Sequence, residues 1–417
     1  MNFDFSFSTI GVILLAFLIL STSKRYGIII KFIYGIIIAF TIGLLVAKYR
    51  TASVHGQTIH KPIITVVGDK IESIKPTIIG GQVVLSEIKI EKINRDLQKV
   101  KISIPKKYLQ KIRVNDCISL LVKLYKPQNS ILPGVYDFGF YAYLADIGAN
   151  GYAMSEPKII ARNETTIDSF IYKIRIFIYN NLINKLGSDK GNFAAAILLV
   201  ETKGLNRQDM RQSGISHILC VSGLHLSLVV MIIFTTTRFL LNLSNYLAYN
   251  YNIKLVSAYC ALIGSFGYLE LSGMQIAATR AFITAAIFIY GIIIGRSGFP
   301  IRSLAIVAFI ILSLNPEYIF HPSFQLSFIS VLSLVAGYEF YLKNSWLLGE
   351  KKGIFGAIKF YTISNIYSSF LASIITAPVV INQFFIFSTY SVPTNLIAVP
   401  VMSFFLMPLA LLLCLLL

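Results

Sequence analysis

The residues best suited to chemistry lie close together in one stretch, SGISHILCVSGLHLSLV, which runs from Ser213 to Val229. It contains two of the five histidines, His217 and His225, and one of the four cysteines, Cys220. Polar side chains at the start of a hydrophobic helix are costly in lipid, so they normally face other protein groups or a water-filled path. Three hypotheses follow: a metal site, a hydrolase site, and the lining of a transport path.

A metal site would combine His217, Cys220 and His225, but it needs a fourth ligand that the sequence does not show. A hydrolase would pair Ser222 with His225, three positions later on the same helix face. However, VSGLH lacks the G-x-S-x-G turn that exposes a nucleophilic serine. Small and polar groups such as Gly223 also let helices pack closely. We therefore predict no metal, cofactor or catalytic residue, and leave open close helix packing and a path lining.

The composition indicates a membrane protein. Of the 417 residues, 55% are hydrophobic and only 13% are charged, whereas soluble domains carry about 25% charged residues. The net charge of +18 is typical of basic loops on the cytoplasmic side of a membrane, and it would also suit a polyanionic substrate. The cysteines form no C-x-x-C pair, so no disulfide or zinc framework is predicted.

Hydrophobic runs predict a series of membrane-spanning helices. Lys24 and Arg25 separate the first two runs, and the positive-inside rule places that turn in the cytoplasm and residue 48 onward outside. With this orientation, the basic loops all lie in the cytoplasm, and the outer turns carry only one charge, Glu317. No basic region precedes the first run, so we expect a retained anchor rather than a signal peptide. The predicted runs are residues 10–21, 27–47, 215–235, 255–272, 275–295, 303–315, 323–342, 358–382 and 391–417.

Residues 48–165 predict a small extracytoplasmic β domain between the two N-terminal helices of residues 1–47 and the later helices. Five strands with a helix after the third is the order of an OB-like barrel, a fold that binds single-stranded nucleic acid in many proteins. The predicted fold class is thus mainly α: a polytopic helical membrane protein with an inserted OB-like barrel. The predicted strands are residues 63–67, 82–93, 100–104, 117–125 and 151–159, with the short helix at 106–112.

A second helix is predicted at 138–146, between the fourth and fifth strands. Pro133 and Gly134 predict a turn, Asp137 an N-cap and Gly148 the helix stop. We expect this helix to plug one end of the barrel. Charges interrupt the apolar positions after the barrel, so residues 166–213 are predicted to be interfacial or re-entrant helices that lead into a channel region at 214–417.

The last hydrophobic run contains Pro393, Asn395, Pro400 and Pro408. Prolines at membrane depth are tolerated where neighbouring groups or water satisfy the freed carbonyls. Discontinuous helices of this kind often line transport paths. The prolines therefore predict a broken helix beside a path.

Arg280 is a charge deep in a predicted span, where it needs a partner or a wet cavity. Glu270, at the end of the preceding run, is the expected partner. An ion pair between these two residues and a phosphate-facing role for an unpaired Arg280 both remain open. Gln325 is a neutral polar group on a later span, and it is expected to make helix contacts or to line a path.

Five stretches, taken in order, resemble the ComEC-type competence proteins, the DNA-internalisation channels of transformable bacteria. They extend over most of residues 133–408. The resemblance implies a multi-pass channel protein of the bacterial inner membrane, with an OB-like domain outside, which passes one DNA strand into the cytoplasm. The stretches are PGVYDFGFYAYLADIGANGY, HILCVSGLHL, LSGMQIAATRAFITAAIFIYGIIIGR, NPEYIFHPSFQLSFISV and VPTNLIAVPVMSFFLMP.

The resemblance implies single-stranded DNA as cargo and a path lined by candidates from these stretches. Membrane lipid, a cytoplasmic motor, an extracytoplasmic DNA receptor or nuclease, and a second copy of the chain are the other expected partners. The path candidates are His217, Ser222, His225, Arg280 and Gln325.

The chain departs from the family pattern at two points. SGFPIR follows Gly295 and Arg296, where an acidic residue often stands, and no H-x-H-x-D-H pattern of a metallo-β-lactamase-like domain is present. We therefore expect a short form without nuclease function. The alternatives are a small-molecule or lipid-linked transporter on the same scaffold and a non-functional truncated remnant.

Overall fold

The computed structural model describes most of the chain, and the structural statements below refer to that part. The first predicted span, together with Pro133, Gly134, Cys220 and Ser222, lies outside the described residues. These are 28–53, 59, 61–76, 80–89, 96–109, 111–130, 137–162, 167–201, 205, 207–215, 217, 223–294, 300–343, 353–385, 388 and 390–416.

A helix, α1 (Ile28–Ser53), precedes a closed β-barrel. The hydrogen-bonded strand order β1-β2-β3-β5-β4-β1 closes five strands, and β6 pairs with β4. β3 and β5 run parallel, whereas the other pairs are antiparallel. This order, with helix α2 (Lys106–Leu109) directly after β3, confirms the OB-like barrel. The strands are β1 (Ile63–Pro76), β2 (Gly80–Lys89), β3 (Asp96–Pro105), β4 (Asp116–Tyr125), β5 (Ile147–Ala153) and β6 (Lys158–Arg162).

Alternation along the strands fills the barrel. Along β4, Ile118, Leu120, Val122 and Leu124 are buried and the side chains between them are less so, because successive side chains point to opposite faces of a strand. β1 pairs with β4 over residues 63–70 and with β2 over residues 71–76, and its register shifts at the change of partner. That irregularity lets one strand close the barrel.

The predicted fifth strand, residues 151–159, is wrong because two strands occupy this region. β5 and β6 are separated by a short break that contains Ser155 and Pro157. The Ser155 hydroxyl oxygen accepts a hydrogen bond from the Leu121 backbone nitrogen at 2.9 Å, where a paired strand would otherwise bond. Proline has no backbone N–H and cannot continue a ladder.

The helix between β4 and β5 is α3 (Phe138–Leu144), and Asp137 is its N-cap as predicted. The Asp137 carboxylate accepts a hydrogen bond from the Phe140 backbone nitrogen at 3.0 Å. The predicted stop at Gly148 is wrong: the left-handed residue is Asp146, with φ 57°, and Gly148 already belongs to β5. No described side chain of α3 belongs to the hydrophobic core of the barrel, and the expected plug stays a prediction.

The described residues after the barrel are mostly helical. Among them, three helical stretches are long and apolar enough to cross a membrane: Gly223–Asn242, Lys359–Phe384 and Ser391–Cys414. Three shorter apolar stretches are also found in this described part. The helices are α4 (Ile167–Leu186), α5 (Ser188–Leu199), α6 (Arg207–Gln212), α7 (Gly223–Asn242), α8 (Asn245–Asn250), α9 (Ile253–Leu271), α10 (Ile276–Ile294), α11 (Pro300–Leu314), α12 (Pro322–Lys343), α13 (Gly353–Phe384), α14 (Ser391–Val401) and α15 (Met407–Leu416).

The proline-containing last run stays helical. A five-residue π-helical segment, Met402–Leu406, joins α14 to α15. Pro393 lies in the first turn of α14 and Pro408 in the first turn of α15. Near a helix start, as at Pro393, a missing N–H costs little. Pro400 and Pro408 lie within one continuous helical stretch, and the irregularity there takes the form of the π segment between them.

The barrel lies against the turn between α11 and α12, a short 3-10 helix at Pro316–Phe320. The Tyr141 hydroxyl of α3 donates a hydrogen bond to the Phe320 carbonyl at 3.1 Å, and the Tyr141 and His321 rings meet edge to face. Arg50, near the end of α1, forms an ion pair with Glu317 at 3.0 Å. The turn predicted to be extracytoplasmic therefore contacts the domain predicted to be extracytoplasmic.

Candidate functional site

Three helices meet around one buried guanidinium, that of Arg280 on α10, which is 7% exposed. Its Nε donates a hydrogen bond to Ser327 Oγ of α12 at 2.5 Å. Its guanidinium carbon lies 5.9 Å from the centre of the Phe328 ring, within the range of a cation–π contact. On another side, a Cβ built on Gly223, the first residue of α7, would lie 2.9 Å from Arg280 Nη2.

Glycine at position 223 makes this approach of α7 to α10 feasible, because any side chain there would meet the guanidinium. Arg280 lies in the second turn of α10, and its carbonyl accepts a hydrogen bond from the Thr284 hydroxyl at 2.8 Å. The guanidinium therefore has a defined seat between a glycine, a hydroxyl and an aromatic ring. We call the group Gly223, Arg280, Ser327 and Phe328 the arginine site.

The predicted ion pair between Arg280 and Glu270 does not form. Both residues are described, and among the described residues no carboxylate lies within 4.0 Å of the Arg280 guanidinium. Ser327 and Phe328 supply a hydrogen bond and a quadrupole but no negative charge. A buried cation is costly without a counter-charge, so the arginine site favours an anion.

Of the other path candidates, His217, His225 and Gln325 are described, and none of these three belongs to the arginine site. His225, 1% exposed on α7, is two residues from Gly223 and thus about 200° around the helix from it. His217 is exposed, with Nδ1 at 3.1 Å from the Gly214 carbonyl oxygen. Gln325 donates through Nε2 to the Ile319 carbonyl at 2.9 Å and holds the 3-10 turn. Gln325 is therefore a structural contact within the 3-10 turn.

The first part of the motif stretch packs against α14 instead. Gly214 has φ +77°, and a Cβ built there would lie 2.8 Å from the Ser391 Cβ. The Ser388 hydroxyl donates to the Gln212 carbonyl at 2.7 Å, and the Ser391 and Ser373 hydroxyls lie 3.2 Å apart, which ties α14 to α13. Asn395, the other polar motif residue of α14, has a buried side-chain oxygen without a hydrogen-bond partner in the described part of the chain.

A cavity of about 510 Å³ lies beside α14 and the π segment. Its volume is in the range of ligand pockets, and its lining is mostly apolar, with Phe193, Met210, Ile215, Pro393 and Ile397 among the side chains. Neither Arg280 nor His225 belongs to that lining. The cavity therefore suits a hydrocarbon chain better than a phosphate, and it is separate from the arginine site.

The described residues contain no group of three His, Cys, Asp or Glu side chains that could hold a metal ion. Outside the spans, burial lowers the pKa of His321, so its imidazole is neutral at pH 7 where it packs against Tyr141.

Two residues of the site region escaped sequence reasoning. Ser327 is the kind of small polar residue that often makes helix–helix contacts. Only the packing of α12 against α10 shows that its partner is Arg280. Arg175 of α4 is one of the charges that interrupt the apolar positions after the barrel, yet its guanidinium reaches the ends of two other helices. Pairing between distant segments leaves no local signal in a single sequence.

Comparison with known proteins links the site to a family. A family model described as "Competence protein" matches residues 201–417, which include all four residues of the arginine site. ComE operon protein 3 of Bacillus subtilis (strain 168) is 23% identical over 294 residues, 68% of this chain and 34% of that protein. The chain thus spans about a third of the length of that curated relative. No solved structure matches the chain.

Proposed function

Because the chain belongs to the competence protein family, we propose that it takes part in DNA uptake as a multi-pass protein of the bacterial inner membrane. In this proposal it passes a single DNA strand into the cytoplasm without covalent chemistry. A cytoplasmic motor supplies the driving force, and an extracytoplasmic receptor or nuclease delivers the strand. A second copy of the chain is a further proposed partner.

The single observation that carries the proposal is the arginine site. Arg280 is buried among three helices of the matched region, and no described carboxylate neutralises it. A guanidinium presents a planar fork of donors that fits the oxygens of a phosphate. A phosphodiester that enters between α7, α10 and α12 would supply the missing negative charge and displace Ser327 from the guanidinium.

The barrel supports the same direction of passage. Helix α3, between two barrel strands, and helix α1, just before the barrel, contact the turn between α11 and α12 through the Tyr141–Phe320 hydrogen bond and the Arg50–Glu317 ion pair. OB-like barrels commonly track a single strand with basic and aromatic side chains. A strand would therefore meet the barrel first and the arginine site second.

The test uses the purified full chain in lipid vesicles without the motor. It measures passive entry, down a concentration gradient, of a short fluorescent single-stranded oligonucleotide that becomes protected from added nuclease. We expect entry with the wild-type chain and none with an uncharged peptide nucleic acid of the same bases. Arg280→Gln should lower entry about tenfold or more, because a charged hydrogen bond to phosphate contributes about 1.5–3 kcal/mol. Arg280→Lys should retain part of the entry.

The matched control is Arg238→Gln, which removes the same charge from an exposed position on α7 and should leave entry unchanged. Gly223→Ala should lower entry less than Arg280→Gln does, since the guanidinium lies at the end of a flexible side chain and can shift away from the added methyl group. Equal entry of DNA and peptide nucleic acid, or equal entry with the Arg280→Gln and Arg238→Gln variants, would contradict the proposal.

A second candidate function is transport of a lipid-linked small molecule, which the apolar cavity beside α14 favours. Ile397→Trp would fill part of that cavity. The second candidate replaces the first if two results are found together. The wild-type chain and every variant show no strand entry, and Ile397→Trp abolishes the movement of a fluorescent lipid that the wild-type chain carries across the vesicle membrane.

A further inference from the structure

Arg175 of α4 joins the ends of two other helices. Its Nη1 donates to the Leu271 carbonyl at 2.5 Å, and its Nη2 donates to the Leu199 carbonyl at 3.0 Å. Leu271 is the last residue of α9 and Leu199 the last residue of α5. Glu201 Oε1 lies 3.4 Å from the same Nη2 and completes the arrangement.

The chemistry of these acceptors explains why an arginine stands here. The last carbonyls of a helix have no partner within the helix and lie at the negative end of its dipole, so a cation nearby is stabilising. The planar guanidinium can donate to two carbonyls in different directions at once, whereas a lysine ammonium is a single compact charge. Arg175 therefore fixes α4 against α5 and α9 together.

The turn after Leu271 depends on the same guanidinium. Gly273 has φ +81° and Met274 has φ +47°, so two successive residues adopt left-handed conformations. A Cβ built on Gly273 would lie 3.2 Å from Arg175 Nη1. The turn is thus tight, conformationally costly and in contact with Arg175.

The other end of the connection is the barrel. Tyr172 packs against the hydrophobic core of the barrel, and burial raises its pKa to about 12. Tyr172 and Arg175 are three residues apart on α4, so they lie on one helix face. One turn of α4 therefore contacts both the barrel and the α9–α10 turn.

The α9–α10 turn in turn sets the position of the arginine site. α10 begins at Ile276, only two residues after Met274, and Arg280 follows four residues later, about 6 Å along the helix axis. A shift of the turn moves the start of α10 and with it the guanidinium that Ser327 holds.

We infer that Arg175 is a positioning residue that couples the barrel to the arginine site through the α9–α10 turn. Movement of the barrel on Tyr172 reaches Arg280 through the Arg175 contacts to Leu271 and Gly273. Only the role of this coupling rests on the proposed function. In that role, the coupling would signal to Arg280 that a strand has reached the barrel. The coupling itself is a property of the chain without DNA.

The test measures amide hydrogen exchange of residues 276–281 in the full chain in lipid nanodiscs, with no DNA present. We expect Arg175→Lys to speed exchange of these amides about tenfold, because one of two charged hydrogen bonds to helix carbonyls is lost. Arg175→Gln should have a larger effect. Lys185→Gln, which removes a charge from an exposed position in the last turn of the same helix, should have none.

A double-mutant cycle separates coupling from simple support. Tyr172→Ala should speed exchange at residues 276–281 in the wild-type background and add little in the Arg175→Lys background. Additive effects of the two substitutions, or unchanged exchange with Arg175→Lys, would overturn the inference. Because the assay contains no DNA, its result is independent of whether a strand enters vesicles.

Discussion

The barrel and the helical region use apolar side chains in opposite ways. In the barrel most described aliphatic side chains point inward and form one core cluster, which includes Leu85, Ile102 and Ile118. In the helical region many large apolar side chains lie on the outside, while polar groups such as Ser257, Ser265 and Arg280 are buried. The distribution of apolar side chains therefore suits water around the barrel and lipid around the helical region.

The difference identifies what holds each region together. Burial of aliphatic area away from water stabilises the barrel. Lipid is as apolar as leucine, so the helices gain little from that effect and depend on close backbone approach and polar contacts. Gly337 of α12 illustrates this, because a Cβ there would overlap Leu371 of α13, and its carbonyl accepts a hydrogen bond from the Tyr367 hydroxyl at 3.3 Å.

The largest expected effect comes from a leucine truncation in the barrel. Leu85→Ala removes a side chain that is 0% exposed and should cost about 3 kcal/mol of barrel stability through lost burial and a residual cavity. Leu409→Ala removes the same atoms from a side chain that is 54% exposed on α15 and should cost less than about 0.5 kcal/mol. Hydrogen exchange of the affected elements in the full chain measures both.

Equal losses for the two truncations would break the comparison, since they would mean that Leu409 is buried against protein in the membrane. A loss with Leu409→Ala alone would reverse the roles of the two regions. Only a large loss with Leu85→Ala and a small one with Leu409→Ala agrees with the structure.

The second-largest expected effect on stability comes from alanine substitutions at two glycines of the helical region. A Cβ at Gly191 of α5 would lie 2.8 Å from the Leu182 carbonyl oxygen and 2.9 Å from the Ile183 Cα of α4, and backbone atoms cannot rotate away. Gly191→Ala should therefore cost about 2 kcal/mol, as overpacking typically does. Gly267 of α9 has nothing within 4 Å of such a Cβ, so Gly267→Ala should stabilise its helix by up to about 1 kcal/mol.

Exchange of the α4 and α9 amides in nanodiscs compares these two variants. A stabilising Gly191→Ala would show that α4 and α5 separate readily. The close approach between these helices would then not be what holds them.

Elements governed by a local rule were predictable from sequence. The predicted apolar run 275–295 differs from α10 (Ile276–Ile294) by one residue at each end, because a long uninterrupted apolar run favours one continuous helix. The strand order of the barrel also followed from alternation and from the helix after the third strand. By contrast, the break between β5 and β6 depends on the Ser155 side chain. Its hydroxyl oxygen accepts the hydrogen bond from the Leu121 backbone nitrogen of β4 that a strand carbonyl would otherwise accept.

The site was only partly predictable, because its contacts join distant segments. Arg280 was identifiable as a costly charge in a span, but its partner was wrong: a left-handed turn at Gly273 and Met274 separates Glu270 from α10. The rotation of α10 then directs Arg280 toward Ser327, 47 residues later. The pair Arg50 and Glu317 is separated by 267 residues, and no periodicity within either segment specifies it.

The smallest expected effect lies on the water-exposed surface of the barrel, where a salt bridge has little value. Lys111 Nζ lies 2.5 Å from Glu156 Oε1, and the hydrogen bond from Lys111, together with its charge, lowers the pKa of Glu156 below 4.5. A lowered pKa means that the contribution of the pair is present above the unfolded-state pKa and is lost as the pH falls through the folded-state value.

Both side chains are solvated, so we expect Lys111→Met to change barrel stability at pH 7 by less than either Leu85→Ala or Gly191→Ala does. The same substitution should return the pKa of Glu156 toward 4.5, which an NMR titration of labelled glutamate would measure. A large stability loss with Lys111→Met would show that surface charge, rather than the aliphatic core, holds the barrel together. The contrast would then no longer hold between a barrel stabilised by burial of aliphatic side chains and a helical region stabilised by close polar and backbone contacts.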